Sequence, residues 1–200
     1  IVCKAITSYF MNTLLQTPLV EVQWCKLLGE PEANRFEPNK PPVWSVEAVF
    51  DPKNHQHQEW LLKQEDVFSN QHGINAKIST NSLPSKTSDD GKTTLWTFKL
   101  KRFTRKRDGG FTSGPLVVDS HNNLWNHDFL IGNGSKMIIA YELYPWKGPT
   151  GVGLAYQPRQ AQVVSHIAYE RSADPVFEKV QGGYVNEEAE QNTPVFNEAG

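Results

Sequence analysis

Cysteine is scarce in this chain: Cys3 and Cys25 are the only two among 200 residues. Two thiols cannot complete a four-ligand metal centre, and so low a count fits a reducing compartment. Buried free thiols are the expectation, with a pair facing across neighbouring strands as the alternative. Long apolar runs are also missing. No stretch approaches the roughly 20 apolar residues of a membrane helix. Lys4, Thr7, Ser8 and Asn12 break the region where a secretory signal would carry its apolar core. The chain opens on Ile1 rather than Met, which reads as a processed or trimmed product. Catalytic signatures are absent too. There is no GxGxxG, no GxxxxGK[ST] and no GxSxG elbow. His55, His57 and His72 lack a Cys or carboxylate at ligand spacing and are expected to be solvated. Asp89-Asp90-Gly91 reads as a turn, without the periodic oxygens of a calcium loop. No catalytic residue, metal or cofactor is expected, although an acid pair assembled only by the fold stays open.

What the chain does have is aromatic residues and an uneven charge. Six Trp, six Tyr and ten Phe make 11% of it. The formal net charge is −2, yet Glu170–Gly200 holds seven acids and two bases, a net of −5. The remainder carries 18 bases and 15 acids, a net of +3. A basic body with an acidic tail points to nucleic-acid partners and an interaction arm. With 38% hydrophobic and 21% charged residues, the body is not a disordered chain.

Alternation of β-branched and aromatic residues with polar ones predicts strands over Ile1–Phe10, Pro18–Leu28, Val43–Phe50, Thr94–Phe103, Lys136–Trp146 and Val152–Tyr169, the last interrupted near Pro158. In the second, Val20, Val22 and Trp24 share the apolar side. In the third, Trp44, Val46, Ala48 and Phe50 do. One helix is predicted over Pro52–Asn70, where Trp60, Leu61, Leu62 and Val67 recur at helical spacing. Arg35–Pro42, Ser79–Thr93, Arg105–Gly114 and His121–Asp128 read as loops. Strands without βαβ alternation fit a small closed barrel or a sandwich. Residues 1–169 form the expected domain, and 170–200 an acidic flexible tail.

The strongest local signal is Lys99-Leu100-Lys101-Arg102-Phe103-Thr104-Arg105-Lys106-Arg107, in which six of nine residues are cationic. Strand parity puts Trp96, Phe98 and Leu100 in the core, and Thr97, Lys99, Lys101 and Phe103 on the other face. Ammonium groups beside a ring can track phosphates and stack bases. A solvated face with an exposed basic tip is the alternative. Further on, Ile139, Tyr141 and Leu143 read as core, while Ala140, Glu142, Tyr144 and Trp146 share the opposite face. Tyr144 and Trp146, beside Lys147, can serve as stacking platforms or pack beneath a loop. Ile131-Gly132-Asn133-Gly134-Ser135 is a tight turn that needs glycine backbone angles.

Several strings in order carry a resemblance. Glu32 to Val46 leads into the strand ending Phe50-Asp51. The basic strand follows, then Gly114-Pro115-Leu116-Val117-Val118-Asp119-Ser120, then the Ile131–Ser135 turn. Last come Gly151-Val152-Gly153-Leu154 and Gln160-Ala161-Gln162-Val163-Val164. Over Pro18 to Ile167 the chain resembles the single-stranded DNA-binding proteins of tailed phages. The resemblance implies a mainly β OB-fold, a five-stranded Greek-key barrel with long loops, one helix insertion and a flexible acidic C-terminal tail. It implies single-stranded DNA lying across the barrel on basic and aromatic side chains, bound without strong sequence preference. The DNA would be protected during phage replication and recombination, in the cytoplasm of an infected bacterial host. Arg35, Lys40, Lys99, Lys101, Arg102, Arg105, Lys106, Arg107 and Lys147 are the expected cations at the DNA, and Phe103, Tyr144 and Trp146 the expected stacking rings. Replication proteins are the expected partners of the tail; no membrane is involved, and a homodimer is allowed. The family's tail often finishes with an aromatic residue after acids, whereas this chain ends Phe196-Asn197-Glu198-Ala199-Gly200. The competing reading is a β-sandwich structural or protein-interaction component of a virion.

Overall fold

The computed structural model describes residues 14–33, 35, 37–73, 75–76, 82–104, 109–149 and 151–169. The expected strand Ile1–Phe10, Cys3, the basic residues 105–107 and the acidic segment from Glu170 lie outside the described residues. The elements in chain order are β1 (Leu15–Gln16), β2 (Val20–Lys26), β3 (Val43–Phe50), α1 (His55–His72), β4 (Ser85–Thr87), β5 (Thr94–Lys101), β6 (Leu116–Asp119), β7 (Lys136–Gly148) and β8 (Gly151–Ser165).

β3 alternates buried and half-buried residues along its whole length, with Trp44, Val46, Ala48 and Phe50 inward. It pairs antiparallel with β2 on one side and, from Val43↔Lys101 to Phe50↔Thr94, with β5 on the other. β2 continues to β7, and β7 to β8, both antiparallel. Four antiparallel steps leave β5 and β8 running in the same direction. They meet across the core, where the Trp96 and Tyr156 rings lie 5.0 Å apart, edge to face. The seam is filled by the segment entering β4: Leu154 N donates to Ser82 O at 2.8 Å, and Thr97 N to Pro84 O at 2.8 Å. The circuit β5-β3-β2-β7-β8 is the partly open Greek-key barrel of the OB-fold. The five strands belong to one sheet curled until β5 meets β8 across the core, which leaves no second facing sheet, so the β-sandwich alternative falls. β6 adds a parallel edge to β8, and β1 pairs with β7. All three accessory strands, β1, β4 and β6, are too short to announce themselves by alternation.

The helix plugs the barrel. Asn54 caps it, its Oδ1 accepting from the Gln56 and His57 amides, and Gly73 ends it at φ 94°. Trp60 stacks on Phe50 at 4.4 Å and meets Trp96 edge-on at 5.0 Å. Phe68 is fully buried, and Gln64 lies buried between these two rings on the same stripe. Gln64 is satisfied there: its Oε1 accepts from Tyr156 Oη at 3.0 Å and its Nε2 donates to Trp60 O at 2.6 Å. Leu62, expected on the apolar stripe, is exposed because it falls on the solvent side of the first two turns.

Five further expectations are corrected. Ala140, expected on the outward face of β7 with Glu142, Tyr144 and Trp146, is buried, because the register against β8 shifts between Ala140 and Tyr141. His72 is half-buried rather than solvated, its Nε2 3.0 Å from Gly153 O and its ring 4.9 Å from that of Phe68. His57 is buried rather than solvated: Nδ1 accepts from Asp51 N at 3.0 Å, which leaves Nε2 to donate to Leu19 O at 2.9 Å. Trp24 leaves the apolar side of β2. The β2–β3 register shifts between Gln23 and Lys26, Trp24 takes φ 51°, and the ring is 64% exposed. Pro158 does not interrupt the last strand. It sits fully buried within β8, and the missing amide is absorbed by a bulge opposite Ala140 and Tyr141.

Candidate nucleic-acid interface

The parity of β5 holds as the sequence predicts: Trp96, Phe98 and Leu100 are buried, while Lys99 and Lys101 are exposed. The outward face of β5 forms one wall of a groove of about 790 Å³. Thr97, Lys99, Lys101 and, just past the strand end, Phe103 line it. The opposite wall is the outward face of the β7–β8 hairpin, with Glu142, Tyr144 and Trp146 from β7 and Gln157 and Arg159 from β8. Leu83 and Pro84 border the groove, and the buried Leu154 and Tyr156 contribute to its apolar lining.

Phe103 is held in place by its backbone. Its N–H donates to Thr112 Oγ1 at 3.0 Å, and its carbonyl accepts from Thr112 N at 2.9 Å. The ring itself is 51% exposed and that of Tyr144 is 58% exposed. Trp146 is half-buried because its indole covers Gly153, the residue opposite it on β8. Among the described residues no carboxylate lies within ion-pair distance of Lys99 or Lys101. Glu142 is neutralised within the groove, its Oε2 accepting from Arg159 Nε at 2.9 Å. Below the groove, burial raises the Tyr156 phenol well above its usual range, and the neighbouring Tyr141 adds to this, so Tyr156 stays a neutral donor to Gln64.

The structure therefore brings together Lys99, Lys101, Phe103, Tyr144 and Trp146. It places the other described candidates elsewhere. Arg102 follows Lys101 on the opposite side of the chain, paired with Glu30 and with its guanidinium 4.3 Å over the Phe111 ring. Arg35 and Lys40 are exposed on the β2–β3 loop, Lys40 within 2.6 Å of Glu37. Lys147 is exposed at the end of β7, outside the lining. Sequence reasoning missed Gln157 and Arg159, although their alternation with the buried Tyr156 and Pro158 was available as a signal. It also missed Trp24 as an exposed ring. No group of three or more His, Cys, Asp or Glu side chains fit to hold a metal ion occurs among the described residues.

No family model and no curated protein matches the sequence. Solved structures do match the fold. One is gp2.5, a single-stranded DNA-binding protein encoded by bacteriophage T7, at 19% identity and a TM-score of 0.59, over 87% of this chain and 98% of that one. Another is the single-stranded DNA-binding protein from bacteriophage Enc34, at 9% identity and a TM-score of 0.56, over 82% of this chain and 88% of that one. The Enc34 protein in complex with single-stranded DNA matches at 9% identity and a TM-score of 0.58, over 78% and 89% of the two chains. At these identities the likeness establishes the architecture.

Proposed function

We propose that this chain binds single-stranded DNA, with little sequence preference and without catalysis, in the groove between β5 and the β7–β8 hairpin. The observation that carries the reading is the convergence of two ammonium groups, Lys99 and Lys101, which no described carboxylate pairs, with three rings, Phe103, Tyr144 and Trp146, on the outer face of an OB barrel. Lysines that neutralise phosphates release counterions, which favours binding for any sequence. Rings stack on whichever base is presented, at about 1–3 kcal/mol per base. The fold neighbours are single-stranded DNA-binding proteins by name, and one was solved with its ligand. The groove also adjoins the strand and hairpin loop on which OB-folds hold oligonucleotides.

Arg35 and Lys40 on the β2–β3 loop, Arg102, Lys147 and the basic residues 105–107 extend the proposed phosphate path beyond the groove. The wider setting follows the same proposal: protection of DNA during phage replication and recombination in the host cytoplasm, with the acidic segment from Glu170 meeting replication proteins. No described helix is long and apolar enough to cross a membrane. Fluorescence anisotropy with a labelled single strand of about 30 nucleotides at low salt tests the reading. Tight binding, outcompeted by unlabelled single strands and not by duplex of the same sequence, is the expected result. A folded chain that binds neither overturns it.

A further inference from the structure

Trp24 on β2 combines two unfavourable features. Its backbone lies in the left-handed region at φ 51°, where a bulky side chain is an outlier, and its indole is 64% exposed. The β2–β3 ladder slips between Gln23↔Glu47 and Lys26↔Ser45, so Trp24 and Cys25 together face Val46 alone. In a bulge whose first residue is left-handed, that residue is ordinarily glycine. This chain holds a tryptophan there instead. The bulge is pinned from the turn before β7, where Asn133 Oδ1 accepts from Trp24 N at 2.8 Å. A ring that stands mostly in solvent adds little to the core, so packing does not account for the strain. Strained positions fixed by the surrounding structure cluster at ligand sites.

The bulge also decides where the ring stands. Cys25 packs against the core, so its neighbours Trp24 and Lys26 face outward, and both are exposed. Lys26 stands opposite Ser45 on β3, and Ser45 opposite Lys99 on β5, one row across the outer face of three strands. Neighbouring strands lie about 4.8 Å apart, so β2 is only about 10 Å from the β5 wall of the groove. Glu47, in the adjoining row, has its charge met by Lys86 Nζ and Gln23 Nε2, each at 3.0 Å. A strand held by Lys99 therefore reaches a ring two strands away, with a lysine beside it and a small serine between. We propose that Trp24 is a second stacking platform, outside the groove, on which a base of the same DNA strand lies, and that the strained bulge serves to present it. The inference rests on the single-stranded DNA reading above.

The test uses the full chain and oligo-dT of about 20 nucleotides, longer than the 4–16 that one OB-fold covers. Trp24→Gly should melt at about the wild-type temperature, because glycine takes the left-handed angle without steric strain. It should nevertheless bind roughly 5- to 100-fold more weakly, the range of one stacked base. Trp24→Phe keeps a ring and should recover most of that loss. Fluorescence locates the effect. In Trp146→Phe, Trp24 is the one tryptophan still exposed, so DNA should quench the emission and shield it from iodide. Adding Trp24→Phe to that variant should remove both effects. A folded Trp24→Gly that binds like wild type overturns the proposal, as does bound DNA that leaves Trp24 open to iodide. A Trp24→Gly that loses stability along with binding also overturns it, because the ring would then serve the fold. If wild type binds no single strand, the nucleic-acid reading falls as a whole.

Discussion

The indole of Trp146 on β7 rests against Gly153, its cross-strand partner on β8, so closely that a Cβ there would stand 2.2 Å from Cζ2. The same Cβ would meet the Ser82 carbonyl at 2.7 Å. Gly153 is therefore a positioning residue for the groove's largest ring. Gly153→Ala should displace the indole and cost roughly 1–3 kcal/mol of single-strand affinity, the worth of one stacked base. Trp146→Ala should cost a similar amount. Because both act through one ring, the double variant should bind no worse than Trp146→Ala alone. Titrations of the three variants decide this, and additive losses would assign Gly153 to the Ser82 seam instead.

Lys99 and Lys101 lie on the same outward face of β5, with no carboxylate within ion-pair distance among the described residues. Replacing both with Ala should weaken binding to every single-stranded sequence alike. The slope of log affinity against log salt should become shallower by about 1.4, from roughly 0.7 per phosphate contact. An unchanged slope in the double variant would move the phosphate path to the β2–β3 loop.

Trp96 and Phe103 belong to one sequence run but to different energetics. Trp96→Ala empties a buried site packed against Trp60 and Tyr156 and should cost about 3–5 kcal/mol of stability. Phe103→Ala removes an exposed ring, so stability should barely change while DNA affinity falls by about 1–3 kcal/mol. Trp24→Ala, also an exposed ring, should likewise leave the melting temperature nearly unchanged. Denaturant melts and DNA titrations on the three variants separate core from platform.

Burial pushes the Cys25 thiol up from 9.0 to about 11, and raises the Tyr141 and Tyr156 phenols well above their ordinary range. The folded chain keeps these protons where the unfolded chain has released them. Stability is therefore full below pH 9 and falls as pH climbs towards 11, first through Cys25 and then, above about 10, through the two phenols. Denaturant melts at rising pH should show the decline, with its first part absent in Cys25→Ser. Absorbance at about 295 nm should show the two phenols ionising only as the chain unfolds. Constant stability from pH 8 to 10.5 would contradict the burial of the two phenols and the half-buried placement of Cys25.

How much of the site could be read from the chain depends on how locally each placement is decided. On β5, side-chain direction follows from backbone pleating alone, so Lys99, Lys101 and Phe103 were assignable to one face and Trp96, Phe98 and Leu100 to the other. The same period placed Tyr144 opposite Tyr141 on β7 and put Trp44 to Phe50 inward on β3. Arg102 shows the limit of counting charge. Its own parity turns it away from the groove, to Glu30 and Phe111, although it sits inside the most basic run of the chain.

By itself, then, the sequence determined the strands with unbroken alternation, the faces taken by Trp44 to Phe50 and by Trp96 to Lys101, and the presence of one helix around Trp60, because a period of two residues and a helical spacing are written in neighbouring positions. Only the tertiary structure decided what depends on a partner. Trp24 is turned outward by a shift in register against β3, with its amide held by Asn133, 109 residues away. Arg159 enters the groove because β7 pairs past it, and His57 is buried because Leu19 supplies an acceptor for its second nitrogen. A bulge is a mismatch in length between two paired strands, and a buried polar group is tolerable only where its bonding partner arrives. Neither is a property of one segment.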